Sequence, residues 1–261
     1  MMKCIAVTNE KGGVAKTTTT VNLGAALAEM GYSVLLVDMD AQANLTLAVG
    51  ADPQEIRVTI LDILLENYPS AEALWKPTKI ERLHLLGGNP SLNLAERLLP
   101  HQPGYETLLQ KKLPFIGARF DYVILDSPPF LGALMSNALA AADTALIPTQ
   151  AEFFSIYALR NVLALIRRIR EQYNPTLSYR LLLTMFDQRN RIHRTLYQYL
   201  HDHFAEGLTE TVIPIDTRLR ESAIAGTPII QHAPKSRAAL QYRVLAQEII
   251  HHVEETLAQP A

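Results

Sequence analysis

Asn9-Glu10-Lys11-Gly12-Gly13-Val14-Ala15-Lys16-Thr17-Thr18 follows directly on the apolar run Lys3-Cys4-Ile5-Ala6-Val7 and leads into the helix-like Thr19-Thr20-Val21-Asn22-Leu23-Gly24-Ala25-Ala26-Leu27. A strand ending in a glycine-rich turn that opens a helix aims several backbone N–H groups at one point. The helix dipole favours an anion at that same point. The expected anion is a nucleotide polyphosphate. Gly12, Gly13, Val14 and Ala15 would form its cradle, Lys16 would reach the β- and γ-phosphates, the Thr17 hydroxyl would hold Mg²⁺, and Thr18 would complete the turn.

Outward from that turn, short β-branched runs alternate with longer helical stretches. Strands are expected at Lys3 to Thr8, Val34 to Asp38, Leu83 to Leu86, Tyr122 to Asp126, Ala145 to Pro148, Arg180 to Met185 and Thr211 to Pro214. Helices are expected at Lys16 to Met30, Thr59 to Glu66, Tyr105 to Leu109, Gly132 to Ala142, Ile156 to Gln172, Arg191 to His203 and Ser236 to Leu257. Strands apolar throughout and separated by helices imply an α/β fold, a mostly parallel twisted sheet with helices on both faces, and the glycine-rich turn upon it resembles that of the P-loop NTPase fold. Ligands on such sheets bind beyond the carboxyl ends of the strands. Trp75 and the segment around Asn67 to Pro77 read as surface connection.

Two more apolar runs end in acids. Val34-Leu35-Leu36-Val37-Asp38-Met39-Asp40 carries its carboxylates where a buried strand leaves the sheet, and alternation in an extended chain would point Asp38 and Asp40 the same way. Tyr122-Val123-Ile124-Leu125-Asp126-Ser127-Pro128-Pro129 is a second buried strand ending in an acid.

The glycine-rich turn departs from the ordinary G-x-x-x-x-G-K-[ST] pattern at Glu10 and Ala15. Lys11-Gly12-Gly13-x-x-Lys16-Thr17 instead resembles the deviant P-loop of the ParA/MinD family of ATPases, and the two acid-ended runs resemble that family's next two motifs in order. The resemblance covers nearly the whole chain and points to the ParA/Soj partition branch. It implies a Mg²⁺-dependent ATPase whose homodimer forms on ATP, with Lys11 reaching the phosphates of the partner subunit. Asp40 would orient the attacking water, Asp38 would assist at Mg²⁺, and Asp126 would hold Mg²⁺ through a water. Lys11, Lys16, Mg²⁺ and backbone N–H groups would neutralise charge on the transferring phosphoryl group. Glu152, in Ile147-Pro148-Thr149-Gln150-Ala151-Glu152-Phe153-Phe154-Ser155, matches an acid near the partner's nucleotide. Leu183 to Asp187 and Val212 to Asp216 resemble segments that box adenine, with Met185, Pro214 and Asp216 as contacts. Two departures stand out. Ala15 sets a methyl beside the phosphate path, and Ala41 replaces the usual proline after Asp40, which loosens the loop.

Charge divides the chain. The 261 residues carry a net charge of −2, so no global field attracts nucleic acid or anionic lipid. From Arg160 to Arg243, however, thirteen Lys or Arg stand against seven Asp or Glu. Arg167, Arg168 and Arg170 share one expected helix, Arg189, Arg191 and Arg194 open another, and Arg218 and Arg220 follow the adenine segment. Such arginines give sequence-independent, salt-sensitive DNA binding through phosphates. Arg189 and Arg218 match positions that similar DNA-binding ParA proteins use. The resemblance thus implies a cytoplasmic, nucleoid-associated protein that positions plasmid, chromosome origin or other cargo, with hydrolysis stimulated by a ParB-like adaptor.

The alternative readings make different demands. The MinD-like branch grips membrane through a basic, bulky-apolar terminal helix. Here Ala246 to Ala261 holds Glu248, Glu254 and Glu255 and no Lys or Arg, which acidic lipid would repel, so no membrane partner is expected. An ATP-dependent metabolic ligase on the same fold would need a second substrate pocket and does not usually carry a lysine like Lys11. A tyrosine kinase of the class would carry a tyrosine-rich tail, but none follows Tyr242. Cys4 is the single cysteine, which excludes an internal disulfide and an intersubunit iron–sulfur cluster needing two cysteines per chain. The eight histidines show no zinc-type pairing. The apolar start is interrupted too soon for a secretory signal, and 261 residues at 48% hydrophobic content suit one domain with a large core.

Overall fold

A computed structural model describes residues 2–65 and 75–258, with side chains of the final helix described as far as Glu254. Expectations for Glu66, Asn67 to Leu74 and the Glu255 side chain lie outside the described residues. The strands are β1 (Lys3–Val7), β2 (Val34–Asp38), β3 (Lys76–Pro77), β4 (Leu83–Leu86), β5 (Tyr122–Asp126), β6 (Thr144–Gln150), β7 (Ser178–Phe186) and β8 (Leu208–Pro214). They form one sheet in the order β3-β4-β2-β5-β1-β6-β7-β8, parallel throughout except for the antiparallel β3–β4 edge.

The period of two sorts the core. In β1, Cys4 and Ala6 join the cluster on one face, while Ile5 and Val7 join the cluster on the other. The first face is covered by α3 (Ile60–Leu65), α5 (Leu108–Ile116), α6 (Ala133–Ala141), α7 (Phe153–Gln172) and α8 (Arg191–Phe204). The second is covered by α1 (Lys16–Glu29), α2 (Asn44–Ala48), α10 (Ile229–His232) and α11 (Arg237–Ala258), with α9 (Thr217–Ile224) leaning on it through Leu219. The short α4 (Ala95–Leu98) completes the α-helices among the described residues, and its Glu96 carboxylate caps α6 by accepting from Ala133 N at 2.6 Å and Leu134 N at 3.1 Å. Gly24 lets α1 lie close on the sheet, since a Cβ there would stand 2.6 Å from Leu36 Cδ2.

Several expectations are corrected. Tyr105 to Leu109 is a 3₁₀ turn over Tyr105–Thr107 that passes into the longer α5. β8 begins three residues before Thr211, because alternating Thr209 and Thr211 are buried in the sheet. Trp75 is no bare connection: its ring meets His84 and Phe120 edge-on at 5.0 and 5.2 Å, beside the antiparallel edge strand that the sequence did not reveal. The helices α2, α9 and α10 were also unforeseen, being four to eight residues long and without a clear apolar period.

Candidate active site

The glycine-rich turn leaves β1 at the centre of the sheet, flanked by the carboxyl ends of β5 and β6. Buried Asn9 fixes its entry, donating through Nδ2 to Pro148 O at 2.9 Å and accepting at Oδ1 from Lys11 N at 3.0 Å. A Cβ at Gly12 or Gly13 would meet nothing within 4 Å, and Gly13 has φ 75°, so the backbone here faces open space. Ala15 stands before α1 at φ 68°, ψ 32°. A left-handed conformation costs an L-residue about 1–2 kcal/mol. The departure from glycine therefore carries backbone strain as well as the added methyl.

Lys16 is only 8% exposed, and its Nζ folds back to donate to Lys11 O at 3.0 Å. Burial lowers its pKa against the opposing pull of Asp126 and Asp40. A phosphate would compete for this ammonium with a charge-assisted bond. The surrounding cleft, about 640 Å³, is lined by Gly13, Lys16, Thr17, Asp40, Asn44 and Pro129 among others.

Thr17 Oγ1 donates to Asp126 Oδ2 at 2.7 Å, and Thr20, one helical turn on, donates to Oδ1 at 3.1 Å. Asp126 is buried, and desolvation together with nearby Asp38 pushes its carboxyl well above the usual carboxylate range. Two hydroxyls around a buried acid, with a second acid close by, make a hard-oxygen set in need of positive charge. Mg²⁺ fits it. When bound, the ion neutralises phosphate charge and the buried acid together.

Asp38 and Asp40 differ in exposure: Asp38 is fully buried at the end of β2, and beyond it buried Met39 donates its N–H to Asp126 O at 3.0 Å. The Asp38 carboxylate accepts from Thr46 N at 2.9 Å, Thr46 Oγ1 at 2.7 Å and Asp40 N at 3.2 Å, and desolvation pushes its pKa up to about 6. It anchors α2 rather than lining the cleft. Asp40 does line it, with Oδ1 accepting from Gln42 N at 2.9 Å. Val14 has its side chain fully buried and its carbonyl accepting from Thr184 Oγ1, leaving the N–H as what it offers an anion.

Lys11 lies away from its own phosphate cradle. Its Nζ is 2.6 Å from Glu152 Oε2, 2.8 Å from Ser155 Oγ and 3.4 Å from Gln150 Oε1, all at the join of β6 and α7. Glu152, expected beside a partner's nucleotide, is here the anchor of its own chain's lysine. Beyond the phosphate cleft a pocket of about 350 Å³ opens between β7 and β8, lined by Ala15, Thr18, Met185, Pro214, Asp216 and Leu219 among others. Met185 has φ 52°, a strained conformation for a non-glycine residue at a ligand wall. Asp216 lines the pocket, but its Oδ1 caps α9 by accepting from Arg218 N at 3.0 Å, so that oxygen is already engaged.

A family model described as the AAA domain matches residues 2–179. The sporulation initiation inhibitor protein Soj of Bacillus subtilis is 38% identical, over 95% of this chain and 98% of its own length. The chromosome partitioning protein ParA of Myxococcus xanthus is 38% identical, over 95% of this chain and 88% of its own. The chain belongs to the ParA/Soj family of P-loop ATPases. Among solved structures, a cobyrinic acid a,c-diamide synthase from Mycobacterium smegmatis with bound ADP and magnesium superposes with a TM-score of 0.84 at 33% identity, over 100% of this chain and 99% of that one. This ParA/Soj protein is an ATPase, and ATP and Mg²⁺ are its cofactors.

The arginines of this ParA-family chain divide by what they touch. Arg170 donates to Leu177 O, Arg180 to Glu206 O, Arg194 to Gln188 O, and Arg243 pairs with Glu29. Arg189 is exposed, yet its Nε and Nη2 meet both Asp187 oxygens at 3.1 and 3.0 Å. Arg218 is exposed on α9, and Arg220 is exposed at the rim of the pocket beyond the P-loop. Sequence reasoning missed Thr20, Ser155 and Gln150. Thr20 was findable, since a hydroxyl three residues after Thr17 shares its helix face.

Proposed function

We propose that this chain is a partition ATPase that dimerises on ATP, binds DNA without sequence preference as a dimer, and positions a large cargo whose ParB-like adaptor stimulates hydrolysis. The observation that carries the reading is Lys11, whose ammonium is held outside its own phosphate cradle at the rim of an exposed apolar surface. Phe153 and Phe154, 71% and 75% exposed, continue that surface together with Tyr157. Aromatic groups so exposed beside a nucleotide site suit burial against a second copy. In that closed state Lys11 would leave Glu152 for the phosphates of the other copy. Lys16 and the turn's N–H groups would hold the β- and γ-phosphates, Thr17 and Asp126 would hold Mg²⁺, and Asp40 would orient water.

Closure would also join two sets of exposed arginines, Arg189, Arg218 and Arg220, into one phosphate-binding surface. Arg189 must first exchange the Asp187 carboxylate for a DNA phosphate. DNA retention measured with ATP, ADP and no nucleotide, at low and high salt, tests this. Wild type is expected to bind only with ATP and to lose affinity steeply with salt. Arg189→Ala should bind more weakly while still hydrolysing ATP, and Lys11→Ala should not bind at all. Retention indifferent to nucleotide would refute the reading.

The M. smegmatis synthase supports a second reading, an ATP-dependent amide-forming ligase. A ligase that draws nitrogen from glutamine through a thiol has no candidate here, because Cys4 is the chain's single cysteine and is fully buried in β1. Against a membrane-gripping reading, the apolar face of α11, from Tyr242 through Leu245, Ala246 and Ile249 to Val253, is buried in the fold. Among the described residues, no helix is long and apolar enough to cross a membrane.

A further inference from the structure

One polar group in the wall of the 350 Å³ pocket has no part in phosphate or metal chemistry. His193 is the third residue of α8 and half-buried, with its ring 5.8 Å from that of Phe186 and inclined at 32° to it. Its Nδ1 accepts a hydrogen bond from Asp187 N at 3.0 Å. A backbone N–H can only donate, so Nδ1 is the bare nitrogen and the neutral ring carries its proton on Nε2. Among the described residues Nε2 has no hydrogen-bond partner. The loop thus holds one edge of the imidazole and leaves a single donor, of fixed tautomer, on the opposite edge. Met185, Pro214, Ile215 and Leu219 give the same pocket apolar walls suited to a flat heterocycle, to which one donor adds orientation.

We infer that His193 is a specificity-determining residue, its Nε2–H donating to a ring nitrogen of the adenine base of ATP. The matching nitrogen is N1. Adenine presents it as a bare acceptor, whereas guanine carries a proton there and would set donor against donor. His193 therefore does two things: it orients the base for the P-loop, and it disfavours GTP.

Equilibrium binding of ATP, GTP, 1-deaza-ATP and 7-deaza-ATP to wild type, His193→Phe and His193→Gln tests this, with thermal melting to confirm folding. Wild type is expected to bind ATP about tenfold more tightly than 1-deaza-ATP, the worth of one hydrogen bond, and 7-deaza-ATP nearly as well as ATP. His193→Phe should bind ATP about tenfold more weakly and no longer distinguish it from 1-deaza-ATP. His193→Gln keeps an acceptor for Asp187 N–H and a donor for the base, and should restore most of the discrimination. Unchanged ATP affinity in folded His193→Phe would overturn the inference, as would equal weakening of every nucleotide in that variant. Wild type that binds no nucleotide at all would instead overturn the assignment of ATP to this cleft, so the two failures are distinct.

Discussion

Replacing Lys11 with alanine lowers ATP turnover by about 100-fold or more, while a single chain still binds ATP with little change. The asymmetry follows from where the side chain lies. Lys16, not Lys11, crosses the phosphate cradle, and the Lys11 ammonium sits on Glu152, Ser155 and Gln150. Lys11 itself lines neither the phosphate cleft nor the base pocket, though its partners Gln150 and Glu152 line the latter. On the proposed closed dimer, what would be lost is a positive charge delivered to the other copy's γ-phosphate, where charge develops in the transition state. A fluorescent ATP analogue reports the binding half, and phosphate release reports the turnover half. Loss of both together would show Lys11 acting within its own chain.

Replacing Asp126 with asparagine stabilises the nucleotide-free protein and abolishes its work. The raised pKa of Asp126 means that the folded chain holds this proton more tightly than the unfolded chain, where a carboxyl titrates near 3.9. Folded-state ionisation is then a cost, absent below about pH 4 and growing as pH rises from there toward neutrality. Asp38, with its pKa pushed up to about 6, adds a cost that grows between about pH 4 and 6. Wild type without ligands should therefore melt lower at pH 8 than at pH 5. Asparagine keeps the acceptor for Thr17 and reverses the other bond, its Nδ2 donating to Thr20 Oγ1, which can donate to Lys16 O, but it cannot ionise, so Asp126→Asn should gain on the order of 2 kcal/mol at pH 8 and show a flatter profile. Its Mg²⁺-dependent turnover should fall at least about 100-fold, since the carboxylate charge proposed to hold the ion would be gone. A variant that melts lower than wild type at pH 8 would contradict the assignment of Asp126 as a group strained by burial.

What was legible in the sequence was what local order encodes. β1, β2 and β5 are continuous apolar runs with chemistry at their ends, and a parallel sheet brings those ends together whatever the loops do. The bond of Asp38 to Thr46, eight residues on, carries no local signal in the sequence. Lys11 on Glu152 and Ser155 spans more than 140 residues and emerges only when β1 and β6 pair side by side. Arg189 looked like an available phosphate ligand because charge counts ignore partners. The structure gives it Asp187, two residues before it. His193 carried no signal among eight histidines without zinc-type pairing, because which ring nitrogen the backbone occupies is not written in composition.

Sedimentation of the Asp40→Ala variant with saturating ATP and Mg²⁺ tests the dimer directly, since blocking hydrolysis should trap the closed state. A species of twice the single-chain mass is predicted, returning to one chain when ADP replaces ATP or when Lys11→Ala is added. A single-chain mass at every ATP concentration, in a variant that demonstrably binds ATP, would contradict it.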